Sequence, residues 1–279
     1  MPLASLIRDG TDRLRQAGLR EPRREALRLW ADLMDDDHTG PVLAPERPVV
    51  GDEAERFREA VIRRAAGEPL AYISGQAGFR RLTLRVDRRV LIPRPETEGL
   101  VERLLARAPE GRVADIGTGS GCIALSLAQE GGYHEVIAVD RSPAALAVAR
   151  ENAGEMDLPV TLVRSDLTSA LASGSLDALA ANPPYLTEAE YRALDPGVRA
   201  WEPEAALASG ADGLEATFRL LDDARRVLRP GGWLALEVDC TRAVPAARQA
   251  GALGWTAVEI QSDLFGRERY LLARRSTAP

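Results

Sequence analysis

The chain has 279 residues, 45% of them hydrophobic, which is enough for two domains that each bury a core. A net charge of −6, the lack of an apolar run of membrane-spanning length and the acids Asp9 and Asp12 near the start disfavour a nucleic-acid scaffold, a membrane span and a secretory leader, so a cytoplasmic protein is expected. Two cysteines, two well-separated histidines and no lysine argue against a disulfide framework, a metal site, a P-loop and Schiff-base chemistry.

From Leu3 to about Gly75 the pattern is helical. Pro22 suits a first helical turn, and Leu27, Trp30, Ala31 and Met34 then share one face. The polar run Asp35–Gly40, which includes His38, ends that helix. Asp52 is placed to cap another, with Ala54, Phe57, Val61 and Ala65 inward and Gly67 as its stop. Charges here nearly balance, which argues against a DNA-binding arm. We read residues 1–80 as a small helical domain that either props its neighbour or grips a partner.

Leu82–Val86 alternates, and Val90–Ile92 follows a polar turn at Asp87-Arg88, which predicts a β-hairpin. With the stiff Pro93 it forms a linker over residues 81–93. Arg94–Glu98 opens the next helix with acids in its first turn, and residues 94–279 form the second domain. Strands are predicted at Val113–Ile116, Val136–Val139, Val160–Val163, Leu176–Ala181, Trp233–Val238, Thr256–Ile260 and Tyr270–Ala273. Ser142-Pro143 caps one intervening helix, Thr187 and Glu190 have capping-box spacing, and Arg229–Gly232 reads as a turn. Such alternation predicts an α/β sheet, mostly parallel, with ligands at the carboxyl ends of its strands; the tail Ser276–Pro279 reads as frayed.

The first predicted strand runs through Asp115 into Gly117-Thr118-Gly119-Ser120-Gly121 and then a helix, and all six of these residues are expected to bind a cofactor. Alternate glycines let the backbone approach a ligand, and the helix start offers free N–H groups. A dinucleotide fingerprint would need glycine at Cys122, so a nicotinamide cofactor is second choice. S-adenosyl-L-methionine (AdoMet) suits the loop better, because it has no pyrophosphate to hold. Asp140, ending the second strand, can accept from both ribose hydroxyls. Asp166, after the third, can accept from an adenine amino group while Leu167 covers the ring.

Asn182-Pro183-Pro184-Tyr185 follows the fourth strand. The prolines stiffen the backbone and leave carbonyl oxygens, the asparagine adds another oxygen, and the tyrosine ring can stack. Together they make a pocket for a planar NH₂ group, whose delocalised lone pair is a poor nucleophile until it is held and aimed. Catalysis is expected from Asn182, Pro183 and Tyr185, with Pro184 also lining the pocket.

The loop and Asn182–Tyr185 resemble class I AdoMet-dependent methyltransferases that act on planar nitrogen. Gly67–Gly75, Leu91–Glu98, Trp201-Glu202-Pro203 and Leu228–Gly232 narrow the resemblance to the release-factor glutamine N5-methyltransferases. It implies a helical N-terminal domain, a hairpin linker and a Rossmann-like, seven-stranded catalytic domain. It also implies methylation of the glutamine amide in the Gly-Gly-Gln loop of class 1 peptide chain release factors. Gly117–Gly121, Asp140, Leu167 and Asn182 would then contact AdoMet, and Asn182–Tyr185 the glutamine. A family aromatic over the adenine is replaced here by Leu167. A monomer without membrane or nucleic-acid partners is expected. Three readings stay open beside it: a glutamine methyltransferase of a ribosomal protein, an N6-adenine or guanine-N2 methyltransferase, and a non-catalytic AdoMet-binding module. The net negative charge weighs against the second, and the intact Asn182–Tyr185 against the third.

Overall fold

A computed structural model describes residues 1–36 and 39–277. The chain forms two compact units, Met1–Gln76 with Asp195–Trp201, and Ala77–Leu194 with Glu202–Pro279. Asp37 and His38 of the expected polar loop, and Ala278 and Pro279 of the expected frayed tail, lie outside the described residues. Among the described residues no helix is long and apolar enough to cross a membrane.

The first unit is helical: α1 (Leu3–Gln16), α2 (Pro22–Met34), α3 (Gly40–Leu43), α4 (Glu53–Ala65) and α5 (Leu70–Ser74). Its core joins Leu3, Leu6 and Leu14 of α1, Leu29 and Trp30 of α2, and Phe57 and Val61 of α4. Trp30 and Phe57 meet edge to face with centroids 5.8 Å apart, an arrangement favoured by the aromatic quadrupole. Gly10 makes room for them, since a Cβ there would lie 2.8 Å from the Phe57 ring. Asp52 is not the side-chain cap of α4. It already has a helical conformation (φ −89°, ψ −2°), whereas a capping residue must be extended to reach the first-turn N–H groups. Glu53 instead reaches back, and its carboxylate accepts from the Val50 N–H at 3.0 Å.

The second unit opens with a hairpin of β1 (Gln76–Phe79) and β2 (Leu82–Arg85). The partner of β2 is thus β1 and not Val90–Ile92. The two-residue turn is made possible by Arg80 at φ +53°, whose side chain pairs with Glu130 at 2.6 Å. The Asp87–Val90 segment closes on itself, with the Val90 N–H on the Asp87 carbonyl, and Pro93 has no N–H to offer a ladder.

The chain continues through α6 (Pro95–Arg107), β3 (Glu110–Ile116), α7 (Cys122–Glu130), β4 (Gly132–Asp140), α8 (Pro143–Glu155), β5 (Thr161–Arg164), β6 (Leu176–Ala181) and α9 (Glu188–Ala193). It leaves this unit for α10 (Pro196–Arg199), part of the first unit, and re-enters at Glu202. There follow α11 (Glu215–Val227), β7 (Leu228–Glu237), α12 (Ala243–Ala252), β8 (Thr256–Ser262) and β9 (Glu268–Arg274). The expected turn at Arg229–Gly232 is absorbed into β7 as a bulge. Bonds between Gly231 N–H and Arg275 O, and between Arg275 N–H and Gly232 O, keep that stretch on the sheet. The capping residues behave as predicted: the Ser142 side chain accepts from Ala145 N–H, and Thr187 and Glu190 form a reciprocal box.

The seven strands stand in the order β5-β4-β3-β6-β7-β9-β8. Neighbours from β5 to β7 are parallel, and β9 is antiparallel to both β7 and β8. Alternate residues of the strands feed two cores. Val113, Ala178 and Ala235 pack with Leu100, Leu104 and Leu127 of α6 and α7, while Ile116, Leu179 and Leu234 pack with Leu220, Leu221 and Ala246 of α11 and α12. Helices on both faces explain why these strands read as continuous apolar runs.

Candidate active site

The register alone assembles the site. Ile116 at the end of β3 pairs with Val139 of β4 and Ala181 of β6, and Ala181 pairs with Leu236 of β7. The next residue on each strand is therefore a neighbour of the next: Asp140, Gly117, Asn182 and Glu237 stand in one row, roughly 4.8 Å per strand step. This is also where the chain order reverses, β4 and β5 lying to one side of β3 and β6 to the other, the usual place for a ligand crevice.

Gly117 (φ +76°), Gly119 (φ +55°) and Gly121 (φ +88°) all take the left-handed conformation that the loop requires. The Gly117 and Thr118 N–H groups donate to the Val139 carbonyl at 2.8 and 2.9 Å, which ties the loop to β4. A Cβ on Gly117 would meet nothing within 4 Å, and one on Gly119 only the Gly117 carbonyl at 4.0 Å, so the space above the loop is open to a ligand. The Asp140 carboxylate accepts from Gly119 N–H at 3.0 Å and Ser142 N–H at 2.8 Å, and its oxygens retain capacity for further donors.

Asp115 is a brace beneath this loop. Its Oδ2 accepts from the Thr118 hydroxyl at 2.6 Å and the Ala124 N–H at 3.2 Å, while Oδ1 is buried without a partner. Burial pushes its carboxyl up to about 7, against the pull of those two donors. Thr118 and Ser120 are likewise buried, so neither side chain is presented at the surface of the loop. Asp166 is exposed and pairs with Arg219 at 2.6 Å. Leu167 beside it has φ +47°, rare for a branched side chain, and packs partly on the sheet core.

Asn182 is held from behind. Its Nδ2 donates to Thr97 Oγ1 at 3.1 Å, and that hydroxyl donates to Glu237 Oε2 at 2.7 Å. Among the described residues nothing donates to Asn182 Oδ1. Pro183 is buried, whereas Pro184 and Tyr185 are half-buried. Burial, helped by Glu237, pushes the Tyr185 phenol up to about 12, so it is neutral at ordinary pH. A second buried acid, Glu202, pairs with Arg94 at 2.6 Å.

Arg94, Thr97 and Glu202 lie in segments that carry the resemblance, but the sequence assigned them no role, and Glu237 was not singled out at all. The one signal for Glu237 was a carboxylate closing the apolar run Trp233-Leu234-Ala235-Leu236, at a strand end. The role of Thr97 was not legible, because its partners lie 85 and 140 residues away.

The strand order, with a glycine loop after β3 and Asn-Pro-Pro-Tyr after β6, is that of a class I AdoMet-dependent methyltransferase. A methyltransferase from Pyrococcus furiosus shares the fold at a TM-score of 0.54 and 19% identity, over 78% of this chain and 98% of that one. Residues 95–195 match the methyltransferase small domain, and residues 5–75 the PrmC N-terminal domain. The release factor glutamine methyltransferase of Nitratidesulfovibrio vulgaris is 41% identical over 98% of this chain and 95% of its own length. That of Cereibacter sphaeroides is 41% identical over the full length of both. The chain belongs to the release factor glutamine methyltransferase family.

Proposed function

We propose that this protein methylates the side-chain amide nitrogen (N5) of the glutamine in the Gly-Gly-Gln motif of class 1 peptide chain release factors. The observation that carries the reading is Asn182, whose Nδ2 is engaged and whose Oδ1 is left free beside the glycine loop. When bound, AdoMet supplies an electrophilic methyl group. The main chain of Gly117–Gly121 and the side chains of Asp140, Asp166, Leu167 and Asn182 would hold it, and the open space above Gly117 and Gly119 fits that role.

An amide nitrogen gains positive charge as its bond to the methyl group forms and the donor's carbon–sulfur bond breaks, and it loses one proton to water afterwards. Asn182 Oδ1 and the Pro183 carbonyl accept its two hydrogens and stabilise that charge, and Pro183 offers no N–H to oppose it. Tyr185 keeps the amide plane in place and, being neutral, adds no charge. No general base is needed first, because an amide proton is too weakly acidic for a carboxylate to remove. The helical unit serves recognition of the protein substrate, and the protein works in the cytoplasm as a monomer.

Asp140→Ala is expected to weaken AdoMet binding by about 1.5–3 kcal/mol, the worth of charge-assisted hydrogen bonds, without unfolding the protein. Calorimetric titration with an unchanged affinity would remove Asp140 from the binding site. The whole reading is tested by offering tritiated AdoMet with release factor, ribosomal protein, RNA and DNA in parallel. Label is expected in release factor alone and on its Gly-Gly-Gln glutamine; label in any other arm instead selects a different substrate.

A further inference from the structure

Resting on that function, we propose that Glu237, acting through Thr97, sets the direction of a three-residue hydrogen-bond chain and so fixes the Asn182 side chain with its oxygen, not its NH₂, towards the amide to be methylated. Asparagine carries an acceptor and a donor at nearly the same distance from its Cβ, and nothing in its shape selects between them. A substrate NH₂ needs the oxygen. A flipped Asn182 would point donors at donors.

The selection comes from the far end of the chain. An ionised carboxylate can only accept, so the single hydrogen of the Thr97 hydroxyl goes to Glu237 at 2.7 Å. Thr97 Oγ1 is left with lone pairs alone, and its other partner at 3.1 Å must be a donor, the Asn182 NH₂. Oδ1 then faces away. Thr97 is 2% exposed and Glu237 1%, so water does not take over either bond. The three residues sit on α6, at the end of β6 and at the end of β7, and the sheet register holds the last two side by side.

A protonated Glu237 would allow the opposite direction: Glu237 donates to Thr97, Thr97 donates to Asn182 Oδ1, and the NH₂ swings to the substrate. The titratable groups facing Glu237 are Arg269 and Tyr270 of β9, Arg94 and Glu96 at the start of α6, Tyr185, and the Cys122 thiol of α7. Burial first, and Glu96 after it, favour the acid, while the Thr97 hydrogen bond and then the arginines favour the carboxylate, and the balance lifts the group to about 7. The direction of the chain is therefore tied to pH near neutrality. Thr97 and Glu237 are positioning residues, since neither needs to touch the substrate.

The test uses the full chain with AdoMet and release factor, read as single-turnover rates, with AdoMet affinity measured by calorimetry as a check on folding. Thr97→Val is expected to slow methylation about 10- to 100-fold, the usual penalty for losing a near-attack geometry, with AdoMet affinity held. Thr97→Ser restores the rate, because the hydroxyl alone is required. The wild-type rate falls as pH drops from about 8.5 to about 6, and Glu237→Gln, which cannot titrate, loses that acid limb. A wild-type rate in Thr97→Val, or the same acid limb in Glu237→Gln, would overturn the inference. Asn182→Ala, run alongside, separates the two levels. If it is crippled while Thr97→Val is not, only the positioning chain fails; if it is fully active, the proposed role of Asn182 fails as well.

Discussion

Asn182→Ala is expected to slow single-turnover methylation of release factor by ~10²–10³, roughly 3–4 kcal/mol, while AdoMet binding changes much less. Neither Tyr185 nor Glu237 is free to serve as a base. Tyr185 is held neutral, and Glu237 is occupied by Thr97. What remains is orientation and the acceptance of two N–H bonds, and Asn182 Oδ1 is a side-chain acceptor to which nothing donates among the described residues. Its removal also leaves the Thr97 hydroxyl without the donor it now faces. Asn182→Asp tests the same point from the other side. It sets a second acceptor against Thr97, whose single hydrogen cannot serve both carboxylates, so a slow enzyme is expected there too. The measurement is a rapid-quench time course at saturating AdoMet and release factor. A rate for Asn182→Ala within a few-fold of wild type would end the mechanism.

The second large effect concerns stability. Arg94→Ala is expected to cost about 3–5 kcal/mol of unfolding free energy at mildly alkaline pH, because it strands a buried carboxylate. Glu202 is 5% exposed, and its only ion-pair partner among the described residues is Arg94, at 2.6 Å. Burial already raises the Glu202 carboxyl above its ordinary value, with Arg94 pulling it back down. Without Arg94 it rises further. The sign then follows: a protonated Glu202 buries no charge, so the penalty is small at acid pH and grows as pH rises through the raised value. Adding Glu202→Gln should recover most of the loss at alkaline pH. Urea unfolding of the wild type, Arg94→Ala and the double variant at two pH values measures this. A loss independent of pH, or one that the second substitution deepens, would mean that Arg94 acts by packing.

Much of this protein could be read from order along the chain. The strands β4, β6 and β7 were legible because both faces are covered, so each contains an apolar run closed by a polar residue. The glycine loop, Asp140 and Asn182–Tyr185 were legible because each follows its strand directly. What escaped depends on chain segments far apart. Val90–Ile92 has the composition of a strand, yet β2 pairs on its other side, where the positive φ of Arg80 allows a tighter turn. Asp52 has the right side chain for a cap and the wrong backbone conformation. Thr97 and Glu202 acquire meaning only from partners more than a hundred residues away, Glu237 and Arg94. No local pattern encodes such a pairing.

The place of β9 has a consequence for synthesis and for truncation. Among the described residues it is the last strand in chain order, yet it lies between β7 and β8 and is the one strand that pairs β8 to the sheet. While the chain grows, β8 emerges with no partner, and the outer edge of β7 stays open until Glu268–Arg274 arrive. A nascent chain thus carries two unpaired strand edges until Glu268–Arg274 are made, the state in which strands are most prone to pair with the wrong neighbour. A chain that stops short of Glu268 loses two strands rather than one, and uncovers the flank of β7 that carries Glu237.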